Sequence, residues 1–83
     1  MRPDVIRVRV FAALRELAGA GELRAEGRTV GEVVDAVSTG LGERFTQIVA
    51  VSSFVVNGER AGRSTPLADG DEVAILPPVS GGR

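Results

Sequence analysis

The sequence contains no cysteine, histidine, tryptophan or tyrosine, and all ten of its basic residues are arginine. Without cysteine, the chain forms no disulfide, thiolate nucleophile or iron–sulfur cluster. Without histidine, it lacks the usual general base near neutral pH and the commonest zinc ligand. Because only carboxylates, hydroxyl groups and guanidinium groups remain for chemistry, we expect no resident metal and no catalysis by the chain alone.

The sequence has neither the cluster of basic residues nor the number of aromatic residues that nucleic-acid binding requires. Ten arginines are dispersed among eleven acidic residues, and the aromatic residues are Phe11, Phe45 and Phe54. A basic face and stacking platforms are therefore missing, and we expect no binding to nucleic acid. No apolar run reaches the length of a membrane span, and the N-terminus leads directly into strand-like sequence. We therefore expect one cytoplasmic domain that does not contact a membrane.

The segment VIRVRVF alternates apolar with charged residues and is rich in β-branched types, which predicts a strand. One face of this strand carries Ile6, Val8 and Val10. Phe11 lies on the opposite face. We expect a short helix over residues 13–18 directly after the strand, because the residue types favour helix and glycines follow.

The clearest helical pattern begins at Thr29. Thr29 and Glu32 have the spacing of a capping box, in which each side chain satisfies a backbone N–H near the start of a helix. An apolar stripe follows at helical spacing. Its members are Val30, Val33, Val34, Val37 and Leu41.

The remaining elements are strands. We expect a weak strand in ELRAEG, a hairpin with its turn at Asn57-Gly58, and a last strand over residues 72–76 that Pro77 and Pro78 terminate. The order predicts an α+β roll, with a mixed sheet of about four to five strands and one main helix across one face. The other face then stays open, and an apolar patch there would bind a partner.

The C-terminal segment PPVSGGR is nearly devoid of large side chains. We predict a folded domain over residues 1–78 and a flexible tail over residues 79–83. Such a tail fits a narrow channel, and glycine at its tip lets a partner approach the terminal carboxylate closely. Small residues also accumulate at frayed termini that have no function, so the glycines alone leave both interpretations open.

Three segments, FAALREL, FVVNGE and PLADGDEVAILPPVSGG, occur in an order that resembles the MoaD/ThiS family of ubiquitin-like sulfur carriers. Within that family, the chain is most similar to small subunits of molybdopterin synthase. The resemblance spans essentially the whole chain. It implies a ubiquitin-like β-grasp fold, which agrees with the element order above.

The resemblance also implies a mechanism. An E1-like enzyme would use ATP and magnesium to adenylate the carboxylate of Gly82, and sulfur from a persulfide would replace the adenylate to leave a thiocarboxylate. Gly81, which has no side chain, would leave room for the enzyme to approach the Gly82 carboxylate. The large synthase subunit would then take up the tail and transfer sulfur to a pterin precursor. The implied partner-binding residues are Phe11, Arg15, Ile75, Leu76, Pro77, Pro78 and Val79. The apolar residues among them could instead belong to the core, which is the better interpretation for Ile75.

Arg83 departs from the family pattern, in which direct carriers end on the second glycine. A protease could remove Arg83, Arg83 could be a remnant of cloning, or the chain could act only by binding. Other outlets for the sulfur also stay open, namely thiamin thiazole, cysteine or a secondary metabolite. A ubiquitin-like protein modifier and a non-catalytic binding module are the alternatives from other classes.

Overall fold

The structure is a computed structural model that describes residues 4–78, which form five strands and three helices. The elements are β1 (Val5–Val10), α1 (Ala12–Ala18), β2 (Glu22–Glu26), α2 (Val30–Ser38), α3 (Glu43–Ala50), β3 (Ser53–Val56), β4 (Glu59–Ala61) and β5 (Glu72–Leu76). The strands form one mixed sheet in the order β2-β1-β5-β3-β4. The predicted α+β architecture is confirmed.

The centre of the sheet is the parallel pair of β1 and β5, in which Val8 lies opposite Val73 and Val10 opposite Ile75. The other three pairs are antiparallel. Because side chains alternate along a strand, these four residues share one face of the sheet. All four are completely or almost completely buried there, under the apolar sides of the three helices.

The capping prediction for α2 is confirmed, with one difference. The Glu32 N–H donates to Thr29 Oγ1 (3.2 Å), whereas Glu32 Oε1 accepts from the N–H of Arg28 (2.8 Å) instead of that of Thr29. The helix ends at Ser38, before Gly40 adopts a φ of +88°. Leu41 therefore lies beyond the helix, half-buried against the core.

Helix α3 was not predicted. Its start has no side-chain cap, because Gly42 occupies the N-cap position with a φ of +94°. The sequence signal was the helical spacing of Phe45, Ile48 and Val49, of which Phe45 and Val49 are buried. None of the helices within residues 4–78 is long and apolar enough to cross a bilayer.

The β3–β4 turn is fastened to the start of β5 by side chains. Asn57 and Gly58 have φ values of +49° and +86°, as the predicted type I′ turn requires. Asn57 Nδ2 donates to Asp71 Oδ1 (3.0 Å), and Asn57 Oδ1 accepts from the Glu72 N–H (3.1 Å). Asp71 Oδ2 accepts from the Ala68 N–H (2.9 Å). Mainly through the Ala68 hydrogen bond, and next through Asn57, the pKa of Asp71 is lowered from its ordinary value.

Gly27, between β2 and α2, tests the closeness of the packing there. A Cβ on Gly27 would lie 2.8 Å from Val33 Cγ2, and Val33 is completely buried. We expect Gly27→Ala to lower the free energy of unfolding by about 1–3 kcal/mol, measured by urea denaturation. The control is Gly62→Ala, where a Cβ meets no atom within 4 Å, and we expect it to change stability by less than about 0.5 kcal/mol. Equal effects at both glycines would contradict this account.

Asp71 should make the stability depend on pH in the acid range. Because its pKa is lower in the folded than in the unfolded state, its charged form contributes stability above the unfolded pKa of about 3.9. That contribution disappears as the pH falls through the lower folded pKa. We expect Asp71→Asn to lower the urea midpoint at pH 6 and the difference from wild type to narrow toward pH 2. A difference that is constant or grows in acid would contradict the assignment. In an Asn57→Ala background, the difference at pH 6 should be smaller.

Candidate functional site

The sheet face turned away from the helices carries no covering element within the described residues. The strand register places one row of side chains across it, in the order Glu22, Arg9, Ala74, Val55 and Arg60. We call this side of the sheet the open face. Ala74 and Val55 are small, half-buried and outside the core cluster, so they form an apolar floor in the middle of the row.

Phe11 and Leu76 lie at the end of the open face where β5 finishes. Phe11 follows β1 with extended backbone (φ −136°, ψ 160°), which continues the alternation and places its ring on the side of Arg9. The Arg9 guanidinium carbon lies 5.8 Å from the ring centroid, within the range of a cation–π contact. Leu76, next to Ser53 of β3, is 37% exposed. These two predicted residues are therefore accessible to a partner.

Ile75 requires a correction. The resemblance included it among the partner-binding residues, with a core role as the better interpretation, and strand alternation turns it to the opposite side from Leu76, where it is completely buried. Its register neighbours Val10 and Phe54 belong to the same core or pack against it. Ile75 is a core residue, and its side chain has no surface to offer a partner.

Pro77 and Pro78 lead the chain out of the sheet. Neither offers an N–H to a neighbouring strand, so pairing ends at Leu76. On the helix side, the two prolines line a mainly apolar groove of about 500 Å³, together with Ile48 and Val51 at the end of α3. Val51 is 66% exposed. The point where the chain leaves the described domain thus has an apolar surface on each side.

Arg15 is separate from this region. It is exposed on α1, and its Nε lies 3.5 Å from the position that a Cβ of Gly21 would occupy. Its side chain therefore lies over the α1–β2 connection, in a shallow depression that Glu16 also lines. The Arg15 N–H donates to the Phe11 carbonyl (3.3 Å) at the start of α1, but the Arg15 side chain lies beside Gly21, away from the open face. The tail residues Val79, Gly81, Gly82 and Arg83 lie outside the described residues.

No local sequence pattern indicated that the charged and apolar residues of the central row lie side by side. Arg9 was visible in the alternation of β1, but Val55 and Arg60 join the row only through the register of β3 with β4 and β5. Within residues 4–78, no three acidic side chains lie close enough together to hold a metal ion. The site in the described part of the chain is a surface beside a chain exit.

Comparisons with known proteins agree with this organisation. The sequence model of the ThiS family matches residues 8–82. The molybdopterin synthase sulfur carrier subunit of Escherichia coli is 37% identical, with 94% of this chain and all of the relative covered. Small archaeal modifier protein 1 of Haloferax volcanii is 35% identical, over 89% of this chain and 97% of the relative.

Solved structures show the same fold. The crystal structure of the Haloferax volcanii modifier superposes with a TM-score of 0.81 at 28% identity, covering 92% of this chain and 99% of the other. A chain in the BexX/CysO complex of Amycolatopsis orientalis superposes with a TM-score of 0.77 at 28% identity, covering 93% and 99%. The ubiquitin-like β-grasp fold is confirmed. The chain therefore belongs to the ThiS family, and its relatives include sulfur carrier subunits of molybdopterin synthase and a small archaeal modifier protein.

Proposed function

We propose that this protein is a sulfur carrier for molybdopterin biosynthesis in the cytoplasm, and that Gly82 carries the sulfur as a thiocarboxylate after Arg83 has been removed. The observation that carries the proposal is the extent of the family match, which runs from residue 8 to residue 82 and includes both glycines. The Escherichia coli relative, a sulfur carrier subunit of molybdopterin synthase, supports the choice of pathway.

The chemistry follows from what a carboxylate needs in order to react. A free carboxylate is a poor acyl donor, so the Gly82 carboxylate would first attack the α-phosphate of ATP, with release of pyrophosphate. The terminal sulfur of an enzyme persulfide would then displace AMP to form an acyl disulfide. A second thiol of the enzyme would attack the other sulfur of that disulfide, which releases the thiocarboxylate and leaves a disulfide on the enzyme. ATP, magnesium and the acid–base groups belong to the activating enzyme, because this chain contains neither histidine nor cysteine. The carrier is then a co-substrate of its partners.

Arg83 occupies the position at which this chemistry must begin. A peptide bond joins the Gly82 carbonyl to Arg83, and an amide is not a substrate for adenylation. Hydrolysis of that bond by a protease would release the carboxylate and make activation depend on processing. Because Gly81 and Gly82 have no side chains, the carbonyl of the Gly82–Arg83 bond is accessible to a protease with a narrow active site.

The described surface supports delivery of the tail to an enzyme. The chain leaves the domain at Pro78, beside the Phe11 and Leu76 side chains of the open face and the groove at Val51. Exposed apolar patches of this kind mark protein–protein contacts, and they would hold the domain while the tail enters the active site. The expected partners are the E1-like activating enzyme and the large synthase subunit.

The intact mass of the untagged protein, purified from its native cells, tests the proposal. We expect a species that lacks Arg83 and has one oxygen of the new carboxyl group replaced by sulfur. A Gly82→Ala variant is the control, because its methyl group obstructs the approach to the carboxylate, and we expect little sulfur on it. A homogeneous population that retains Arg83 during active cofactor synthesis would sink the proposal.

Leu76 and Leu17 form a matched pair for testing the docking surface, because they are 37% and 38% exposed. Leu76 lies on the open face beside the chain exit, and Leu17 lies on α1. We expect Leu76→Ala to weaken binding to the activating enzyme about tenfold, as loss of a buried interface anchor does, and Leu17→Ala to have less than a twofold effect. Calorimetric titration measures both. Equal weakening of binding by the two variants would contradict the assignment of the docking surface to the open face.

A protein modifier is the second candidate, because the Haloferax volcanii relative is named as one and superposes closely. A modifier would join its Gly82 carbonyl to amines of other proteins. It would therefore appear in denaturing gels as a series of larger species that contain this chain. The carrier proposed here predicts a single species of its own size in the same gels.

A further inference from the structure

The arginines of the open face differ in whether they have acidic partners. Arg7 lies 3.7 Å from Glu72, and Arg24 lies 3.9 Å from Glu22. Arg9 is the register partner of Glu22 and yet forms no ion pair within residues 4–78. Its guanidinium instead lies over the ring of Phe11.

Arg60 is the second arginine of the open face that forms no ion pair in the described structure. It lies on β4, opposite Val55, and is exposed. Its neighbour Ala61 points to the core side, which leaves Arg60 on the open face. Arg9 and Arg60 thus occupy the same row and carry positive charge that no described carboxylate neutralises.

The spacing between these two arginines follows from the sheet. The strands β5 and β3 separate β1 from β4, so three interstrand steps, or about 14 Å, lie between the two backbones. The residues between them are Ala74 and Val55, whose short side chains form a low apolar floor. Arginine has a long side chain, so the two guanidinium groups stand above this floor on either side.

We infer that the protein segment that covers the open face presents an apolar side chain flanked by two carboxylates, which pair with Arg9 and Arg60. The inference rests on the proposed function, because the segment that covers the face belongs to the E1-like activating enzyme. The apolar side chain would pack on Ala74 and Val55. The planar guanidinium groups suit carboxylates, with which they form paired hydrogen bonds.

Charge complementarity favours this occupant over two others. A second copy of the chain would bring its own Arg9 and Arg60 to the same face, and like charges in an interface oppose association. A nucleic acid carries a phosphate at every nucleotide and would bring some of them against Glu22, Glu26 and Glu72, whereas a protein segment can place its two carboxylates at Arg9 and Arg60 alone. A segment with an apolar side chain between two carboxylates matches both the apolar middle of the row and the two arginines on either side of it.

The test measures binding of the purified E1-like activating enzyme to Arg9→Gln, Arg60→Gln and the double variant, at low and at physiological salt. We expect each single change to weaken binding about two- to fivefold, mainly through slower association, and the double variant to lose most of the salt dependence. Arg44→Gln, which removes the same charge from exposed α3, is the control and should bind like wild type. Arg9→Lys and Arg60→Lys should retain more affinity than the glutamine variants.

Wild-type binding and salt dependence in the double variant would overturn the inference, and so would equal weakening by Arg44→Gln. Dimerisation of the wild type that the double variant abolishes would overturn it in favour of a second copy. Displacement of the enzyme by a short single-stranded oligonucleotide, again dependent on both arginines, would overturn it in favour of nucleic acid. Thiocarboxylate formation is measured in parallel on the protein that ends at Gly82, with ATP, magnesium, a persulfide donor and saturating enzyme. Its failure counts against the proposed function, whereas its success with unchanged binding of the double variant counts against this inference alone.

Discussion

The parallel pairing of β1 with β5 is the constraint on which the rest of the structure depends. It joins the first and last strands of the described chain in the middle of the sheet, so β2 attaches on one side and the β3–β4 hairpin on the other. The pair begins where the Val5 N–H donates to Asp69 Oδ1 (2.8 Å) and the Val5 carbonyl accepts from the Gly70 N–H (3.1 Å). It ends at Val10 and Ile75, beside the chain exit. The same pairing therefore builds the core and fixes where the tail starts.

Each of these two strands serves both sides of the protein. On β5, Val73 and Ile75 are completely buried, whereas Ala74 and Leu76 belong to the open face. A partner surface built on central strands is held in place by the core beneath it, which keeps its geometry more exact than a loop would. A change in the core, as at Ile75, would for this reason also disturb the docking surface on the other side.

The elements with strong local patterns could be predicted from the sequence. The alternation in VIRVRVF, the Thr29–Glu32 spacing and the Asn57-Gly58 turn each predicted the structure that is observed. Helix α3 escaped because Gly42 gives its start no side-chain cap. The predicted partner residues Phe11 and Leu76 are accessible, but Ile75 is not.

The central row of the open face depends on long-range register, which no local pattern encodes. Arg9 and Arg60 are about fifty residues apart in sequence and come to lie in one row through three strand pairings. Local propensity favours a strand at each position, and tertiary packing decides which strands lie side by side. This is why the sequence indicated an open face without indicating its charge pattern.

The position of β5 also determines when the open face becomes complete during synthesis of the chain. The middle strand of the sheet is the last one made, so residues 5–61 alone hold two separate pieces of sheet with a gap between them. Contacts between sequence-distant strands form late, because closing the long loop between them costs chain entropy. A chain interrupted before residue 76 lacks the floor at Ala74 and the side chain of Leu76. Only a chain that has been translated through β5 presents the complete open face.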